Sequence, residues 1–480
     1  MSADQKPLVV NSNILQMEYA VRGPIPKRAA VLEKQGKKII PCHIGNPQAL
    51  GQVPMTYLRQ VLSLVEDPAK IERERQLKSL FEENPYSDLG DEDFISEDIL
   101  QISEEILAAS GTGMGAYTAS KGHLFIREAV AEFIDQRDGY RPGKGIPADS
   151  ESIFLTTGAS QGVYFVVDLL IAEKNDGIMI PIPQYPLYSA AIKKVGGVQV
   201  NYYPDEERGW VFDRSILADA YKKAQKEGIN VKAIVVINPG NPTGAVLDEA
   251  SMLEVIEFAR DHQLMIIADE VYQENIYHGK FHSFAKVLGK EQVSLVSLHS
   301  ISKGFLGECG HRGGYLEIRN PPKIEGTSLD FVDLLNKQAS VSLCSSTPGQ
   351  VLTYLMVKPP SENNRTYQTY IREKETILKD LHEKALMVRE AFKEMEGVEC
   401  FGETGALYLF PRLGVLPGGT TDFDYCMALL EETGLCTVNG SGFGQKPGTQ
   451  HLRIAFLPPK DLLKQVLPKW IQFHNRYVKG

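Results

Sequence analysis

Between residues 110 and 320, short β-branched runs alternate with amphipathic stretches. SIFLTT precedes GVYFVVDLLIAE, GIMIPIP precedes YSAAIKKV, and AIVVIN precedes DEASMLEVIEFARDH; LMIIADE and VSLVSLHS follow. Strands apolar on both faces and separated by helices predict a mostly parallel sheet covered on both sides, at 153–157, 178–182, 233–237, 264–268 and 293–298. Before this region, residues 62–109 are charged and helical in tendency, interrupted by the turn-like NPYSDLGD, and read as a helical insertion. After it, TYIREKETILKDLHEKALMVREAFKEM predicts one long helix that could link two units, and ALYLF and HLRIAF predict strands of a smaller α+β unit. The expected division is an arm over 1–30, a small α+β domain from 31–109 and 351–480, and a large α/β domain over 110–350.

Composition narrows the function classes. A chain of 480 residues needs more than one core. Its net charge of -10 argues against a nucleic-acid or anionic-membrane partner, so an anionic ligand must be held by local positive groups. No apolar run is long enough to span a bilayer. Neither end carries a recognisable targeting pattern, and six scattered cysteines form no CxxC pair. The expectation is a cytoplasmic enzyme without a metal site.

In open parallel sheets ligands bind beyond the carboxyl ends of the strands. There the chain delivers Ala159 and Ser160 at the start of a helix, then Tyr185, Asn241, Asp269 with Tyr272, and Ser300, Ser302 and Lys303 with Arg312 nine residues on. These are the groups pyridoxal phosphate requires. A lysine forms the Schiff base. A carboxylate (Asp269) pairs with the pyridine nitrogen, so that the ring accepts electrons. Asn241 and Tyr272 can bond the phenolate oxygen, Tyr185 can stack on the ring, and a helix N-terminus with Ser300, Ser302 and Arg312 suits the phosphate.

NPGNPTG, ADEVY, SxSKGF and HLRIAF, in this order, resemble the fold-type I aminotransferases of the aspartate aminotransferase superfamily. EYAVRG, IGNPQALGQ, PIPQYPLYSA, SKGFLGECGHRGGY and GSGFGQ resemble more narrowly the alanine aminotransferase family. The resemblance runs from about residue 18 to 457. It implies a mostly parallel seven-stranded sheet, Lys303 as the Schiff-base lysine, Asp269 at the ring nitrogen, and Asn241 and Tyr272 at the phenolate oxygen. It also implies Arg453 for the substrate α-carboxylate, Gly45 as a substrate-loop backbone contact, and a homodimer in which Tyr117 reaches the neighbouring phosphate. The substrates implied are small amino acids and 2-oxo acids, with alanine and 2-oxoglutarate first. Many members of the wider superfamily place the arginine eight residues after the lysine; the nine found here match the narrower family.

Other readings compete. Gly158-Ala159-Ser160-Gln161-Gly162 fits GxSxG, which would make Ser160 a hydrolase nucleophile but leaves NPGNPTG, Asp269 and Lys303 without a role. Ser300–Lys303 fits SxxK without its accompanying elements, and the GxGxxA match at 111–116 follows a helical stretch where a dinucleotide fingerprint needs a strand. His278 and His282 flank Gly279 in a loop and make a poor metal pair. A ligand-sensing regulator on this fold would need a DNA-binding domain, for which the first 40 residues are too short. Glutamate–glyoxylate aminotransferases share nearly the same motifs, and a lyase outcome on the same fold is compatible with the cofactor residues.

Overall fold

The computed structural model describes residues 8–17, 23–83, 90, 93–111 and 113–480. Residues 18–22 of EYAVRG, most of NPYSDLGD, and Thr112 of the GxGxxA match lie outside the described residues.

Seven strands form the main sheet: β1 (Ile153–Thr156), β2 (Asp176–Pro181), β3 (Val198–Tyr202), β4 (Asn230–Ile237), β5 (Met265–Asp269), β6 (Leu295–Ser300) and β7 (Gly314–Arg319). Their order across the sheet is β1-β7-β6-β5-β4-β2-β3. The pairs β2·β3, β2·β4, β4·β5 and β5·β6 are parallel, whereas β7 runs antiparallel to both its neighbours. The architecture is thus mixed α/β with a central, mostly parallel seven-stranded sheet. Five of the strands were expected from sequence, and β3 and β7 were not. β7 carries Glu317 and Arg319 among its apolar residues, yet every residue of it is buried. The two charges pair with one another, Arg319 Nε donating to Glu317 Oε1 at 2.8 Å.

Helices cover both faces. On one side, Ile178, Ala233, Ile267, Val296 and Leu316 pack against helices α2 (Ala159–Leu170) and α3 (Leu187–Val195). On the other, Met179, Ile234, Ile266 and Ala268 pack against α4 (Glu249–His262). Alternate residues of one strand therefore serve two cores, which is why these strands read as continuous apolar runs. Each fully buried aliphatic side chain contributes about 1.5–3 kcal/mol to holding the sheet.

The smaller unit forms its own core from Ile25, Ala29, Leu32, Leu429, Leu452, Phe456 and Trp470. Tyr408–Leu409 (β8) and Leu452–Ala455 (β9) pair antiparallel, with Val438–Asn439 on the far side of β9. The helix Pro24–Lys34 runs through the expected arm boundary at residue 30 and seals this core. The helical insertion also lies elsewhere than expected. Leu58, Val61, Val65, Ile99 and Ile106 pack with helix α1 (Leu124–Asp138), β1 and Thr347–Val357 of the large unit. An apolar helix face joins whichever core completes its burial, irrespective of chain order. The long helix α5 (Tyr367–Lys393) does bridge the units: Tyr370 belongs to that large-unit core and Leu381, Val388 and Phe392 to the small one. Among the described residues no helix is long and apolar enough to cross a membrane.

Candidate active site

The strand ends converge on a cavity of about 670 Å³ that β8 and the loop 43–46 close from the other side. Lys303, Asp269, Tyr272, Asn241, Tyr185, Ala159, Ser160, Ser300, Ser302, Arg312 and Gly45 all line it. Lys303 follows β6, and its Nζ donates to the Gly45 carbonyl at 2.7 Å. The turn that carries it is pinned by the buried Asn275, whose Oδ1 accepts from the Gly304 amide at 2.9 Å.

Asp269 ends β5 and is 4% exposed. Its Oδ2 accepts from the Tyr188 hydroxyl at 3.0 Å, while Oδ1 is buried with no hydrogen-bond partner among the described residues. Burial pushes its carboxyl up to about 6, against the opposing influence of Tyr188, the Val271 amide and Lys303. A buried carboxylate oxygen without a partner, on a residue that lines a cavity, needs a donor. The protonated nitrogen of a pyridine ring is such a donor, so the residues present fit pyridoxal phosphate.

Another part of the cavity wall suits an anion. Helix α2 begins at Ala159 with no side chain capping its first amides. Its N-cap Gly158 has φ 72°, and a Cβ there would lie 2.4 Å from Arg312 Nη2. The positive φ is what requires glycine at this point. Arg312 spreads over the helix start, donating to the Thr157 carbonyl and Ser160 Oγ, each at 3.1 Å, and to the Cys309 carbonyl. Ser300 Oγ donates to the Gly313 carbonyl at 3.0 Å, accepts from the Ser302 amide and lies 3.0 Å from Ser302 Oγ, which holds the two hydroxyls side by side. Ser160 is bonded to Arg312 and, among the described residues, to no histidine, so the geometry favours a phosphate cradle over a nucleophile.

Arg453 lies behind this set on β9, 1% exposed. Its Nη1 donates to Asn241 Oδ1 at 3.1 Å and its Nη2 to the His43 carbonyl at 2.6 Å. Its guanidinium sits 4.2 Å over the Tyr408 ring and 4.7 Å over that of Phe443. Nε has no partner, and among the described residues no carboxylate pairs with this buried cation. Burial, with Arg453 nearby, lowers His43 to about 4, so it adds no competing charge at neutral pH. A buried guanidinium held only by neutral acceptors is suited to a carboxylate from outside the chain. Lys303, Arg312 and Arg453 against Asp269 make a locally positive site in a chain of net charge -10.

Tyr117 is 79% exposed and lies outside the cavity of its own chain. Sequence reasoning missed Tyr188, Asn275 and Tyr408. Tyr188 lies within PIPQYPLYSA, three residues after Tyr185, and its place on the first turn of α3 was the signal available. Tyr408 lines the cavity from β8, its ring edge-to-face with Tyr272 at 6.0 Å and 83°. Burial raises both phenols. At Tyr408 the nearby Lys303 and Arg453, with the hydrogen bond from Tyr272, outweigh it and bring the hydroxyl below its ordinary value, while Tyr272 stays well above.

A lysine, a buried carboxylate and an anion-suited helix start gather at the strand ends of a sheet that matches fold-type I pyridoxal phosphate enzymes. The family model described as aminotransferase class I and II matches residues 78–467, and the chain belongs to this family. Its members use pyridoxal phosphate to transfer amino groups, and the chain is a pyridoxal phosphate-dependent aminotransferase. Alanine aminotransferase 2 of Panicum miliaceum is 41% identical, covering 98% of this chain and 97% of that one. Glutamate–glyoxylate aminotransferase 1 of Arabidopsis thaliana is 40% identical, covering 98% and 95%. An alanine aminotransferase from Pyrococcus furiosus shares the fold, with a TM-score of 0.77 at 23% identity over 98% of this chain and 100% of that one.

Proposed function

We propose that this enzyme transfers the amino group of L-alanine to 2-oxoglutarate, with Lys303 as the cofactor-bearing and proton-moving group. The observation that carries the site reading is that Asp269, whose buried Oδ1 has no hydrogen-bond partner among the described residues, lines the same cavity as Lys303. Bound pyridoxal phosphate supplies a ring that accepts the electrons released at the amino acid's Cα. Asp269 would hold the ring nitrogen protonated, Asn241 and Tyr272 would bond the phenolate oxygen, and Tyr185 would lie on the ring face. The α2 amides at Ala159 and Ser160, with Ser300, Ser302 and Arg312, would hold the phosphate. Arg453 would fix the substrate α-carboxylate beside Asn241, with Gly45 contributing its backbone. That fixes the Cα–H bond toward Lys303 Nζ, which takes the proton.

The alanine preference is supported by the relatives named for alanine at 41% identity over nearly full length. The Arabidopsis glutamate–glyoxylate enzyme, at 40%, supports the second reading, a glyoxylate-linked transfer on the same residues. A panel of amino donors with 2-oxoglutarate and with glyoxylate separates the two. Alanine with 2-oxoglutarate is expected to give the highest kcat/KM, and a preference for a bulky aromatic donor would overturn the substrate assignment.

A homodimer with shared sites is part of the proposal. Leu8, Val9, Leu15 and Val341 are each more than 70% exposed, and Tyr117 does not line its own chain's cavity. Sedimentation of the purified enzyme at twice the chain mass is the expected result. The six cysteines are all free, which suits a reducing compartment, and we place the enzyme in the cytoplasm. Relatives from Dictyostelium discoideum and Arabidopsis thaliana are named as mitochondrial, so fractionation of cells expressing the full chain decides the compartment.

A further inference from the structure

The hydroxyls of Tyr272 and Tyr408 lie 3.3 Å apart in the wall of the cavity, both rings buried. No sequence motif joins them, since 136 residues separate the two. Tyr272 donates to Tyr408 in this structure. The Tyr408 hydroxyl also abuts the Gly45 loop, where a Cβ would lie 1.8 Å from it. Lys303 Nζ bonds to the carbonyl of that same Gly45. The charged and titratable groups facing the pair are Lys303, Arg453, Cys309 and Tyr185.

We infer that Tyr408 is a positioning residue that forms a two-phenol chain with Tyr272 toward the ligand's phenolate oxygen. This rests on the proposed seating of the cofactor. A hydroxyl has one hydrogen. When Tyr272 turns its hydrogen to a ligand oxygen, its own oxygen is left to accept, and the Tyr408 hydroxyl is placed to donate to it. A donor that itself accepts a hydrogen bond is polarised and donates more strongly. Tyr408 thereby strengthens the bond from Tyr272 and lowers the basicity of the oxygen at its end. The ring of Tyr408 has a separate duty, since it supports the Arg453 guanidinium at 4.2 Å. Hydroxyl and ring can therefore be separated by substitution.

The test is a pH titration of the visible absorbance of the pyridoxal phosphate-loaded enzyme, in Tyr408→Phe, Tyr272→Phe and the double variant, with circular dichroism confirming the fold. Tyr272→Phe is expected to raise the midpoint. Tyr408→Phe should raise it by a smaller amount, about 0.2–0.5 pH unit on a strengthening of roughly 10–30% per bond. In the Tyr272→Phe background it should add nothing. An unmoved midpoint in Tyr408→Phe, or the same shift in both backgrounds, overturns the chain. Tyr408→Leu, which also removes the ring beneath Arg453, should raise KM for the amino donor more than Tyr408→Phe does; equal increases would place the hydroxyl's effect on Arg453 and overturn the inference. Failure of the underlying reading looks different: the wild-type band would then survive Lys303→Ala, or Tyr272→Phe would leave the midpoint in place.

Discussion

Asp269 and Glu270 are neighbours in sequence, are both buried carboxyls, and face different halves of the molecule. Asp269 continues the β5 face that packs on α2 and α3, and Tyr188 of α3 bonds one of its oxygens. Glu270 joins the opposite face, where its Oε1 accepts from the Phe284 amide at 2.7 Å and Arg137 of α1 lies close. Burial raises both, Asp269 to about 6 and Glu270 to about 8. A shifted carboxyl is therefore no mark of function by itself. What separates the two is what the remaining oxygen faces. Asp269 Oδ1 has no partner among the described residues, and Asp269 lines a cavity with Lys303. Glu270 is enclosed in a polar cluster with Arg137, Tyr315 and Glu317 and is not among the residues that line the Lys303 cavity.

Exchanging each carboxylate for its amide tests that distinction directly. Asp269→Asn should lower kcat/KM by roughly 10³-fold, because an ion pair at about 4 Å contributes roughly 4 kcal/mol at an effective dielectric near 20. Glu270→Gln keeps an acceptor for the Phe284 amide and should change kcat/KM by less than about threefold. Comparable losses in both variants would erase the difference between the two faces. Arg453→Lys comes next in size. It keeps the charge but loses the planar fork shared by Asn241 and the His43 carbonyl, and KM for alanine should rise roughly 10- to 100-fold, the range of one or two charged hydrogen bonds.

Which of these residues could be read from sequence follows from how each is held in place. Asp269, Asn241, Ser300 and Lys303 sit at strand ends, where an apolar run and the turn after it fix position locally. Arg453 came from the family resemblance and not from pattern, since nothing in HLRIAF alone says that the arginine turns inward. Tyr408 was illegible because its meaning comes from contact with Tyr272 and Gly45, distant segments joined only by packing of the small unit. The strand β7 was hidden by Glu317 and Arg319, whose mutual pairing lets a polar-looking segment run through the interior. The partition of the helical insertion failed for a related reason: an amphipathic helix advertises a buried face but not the core that receives it.

The two carboxyls should also part company in the pH dependence of stability. Both have folded values above their unfolded ones, so each imposes no penalty below its unfolded value and an increasing one as pH rises toward the folded value. For Asp269 that window runs from about 4 to about 6, and for Glu270 from about 4.3 up to about 8. The cofactor-free enzyme should thus lose stability between pH 4 and 8 through these groups. At pH 8, Asp269→Asn should stabilise it by about 1–3 kcal/mol, the scale of a two-unit shift. The gain should vanish below pH 4. Chemical denaturation at pH 4, 6 and 8 measures this, and a gain independent of pH would show that ionisation of Asp269 is not its source.

The smallest effect expected concerns the group that orients Asp269. Tyr188 is fully buried and donates its hydroxyl hydrogen to Asp269 Oδ2, leaving Oδ1 as the oxygen without a partner among the described residues. Tyr188→Phe keeps the ring's packing and removes one donor to the carboxylate, worth about 1 kcal/mol. Affinity for pyridoxal phosphate should fall roughly fivefold at pH 8, as that energy implies. Asp269 should also titrate higher, because a donor that lowers its value has gone. The affinity loss should therefore grow as pH falls from 8 toward 6, when the variant protonates Asp269 before the wild type does. In the Asp269→Asn background the same substitution should cost less, since a neutral amide accepts a weaker bond than a carboxylate. An equal loss in both backgrounds would mean that Tyr188 acts through packing, and that Asp269 holds its orientation without it.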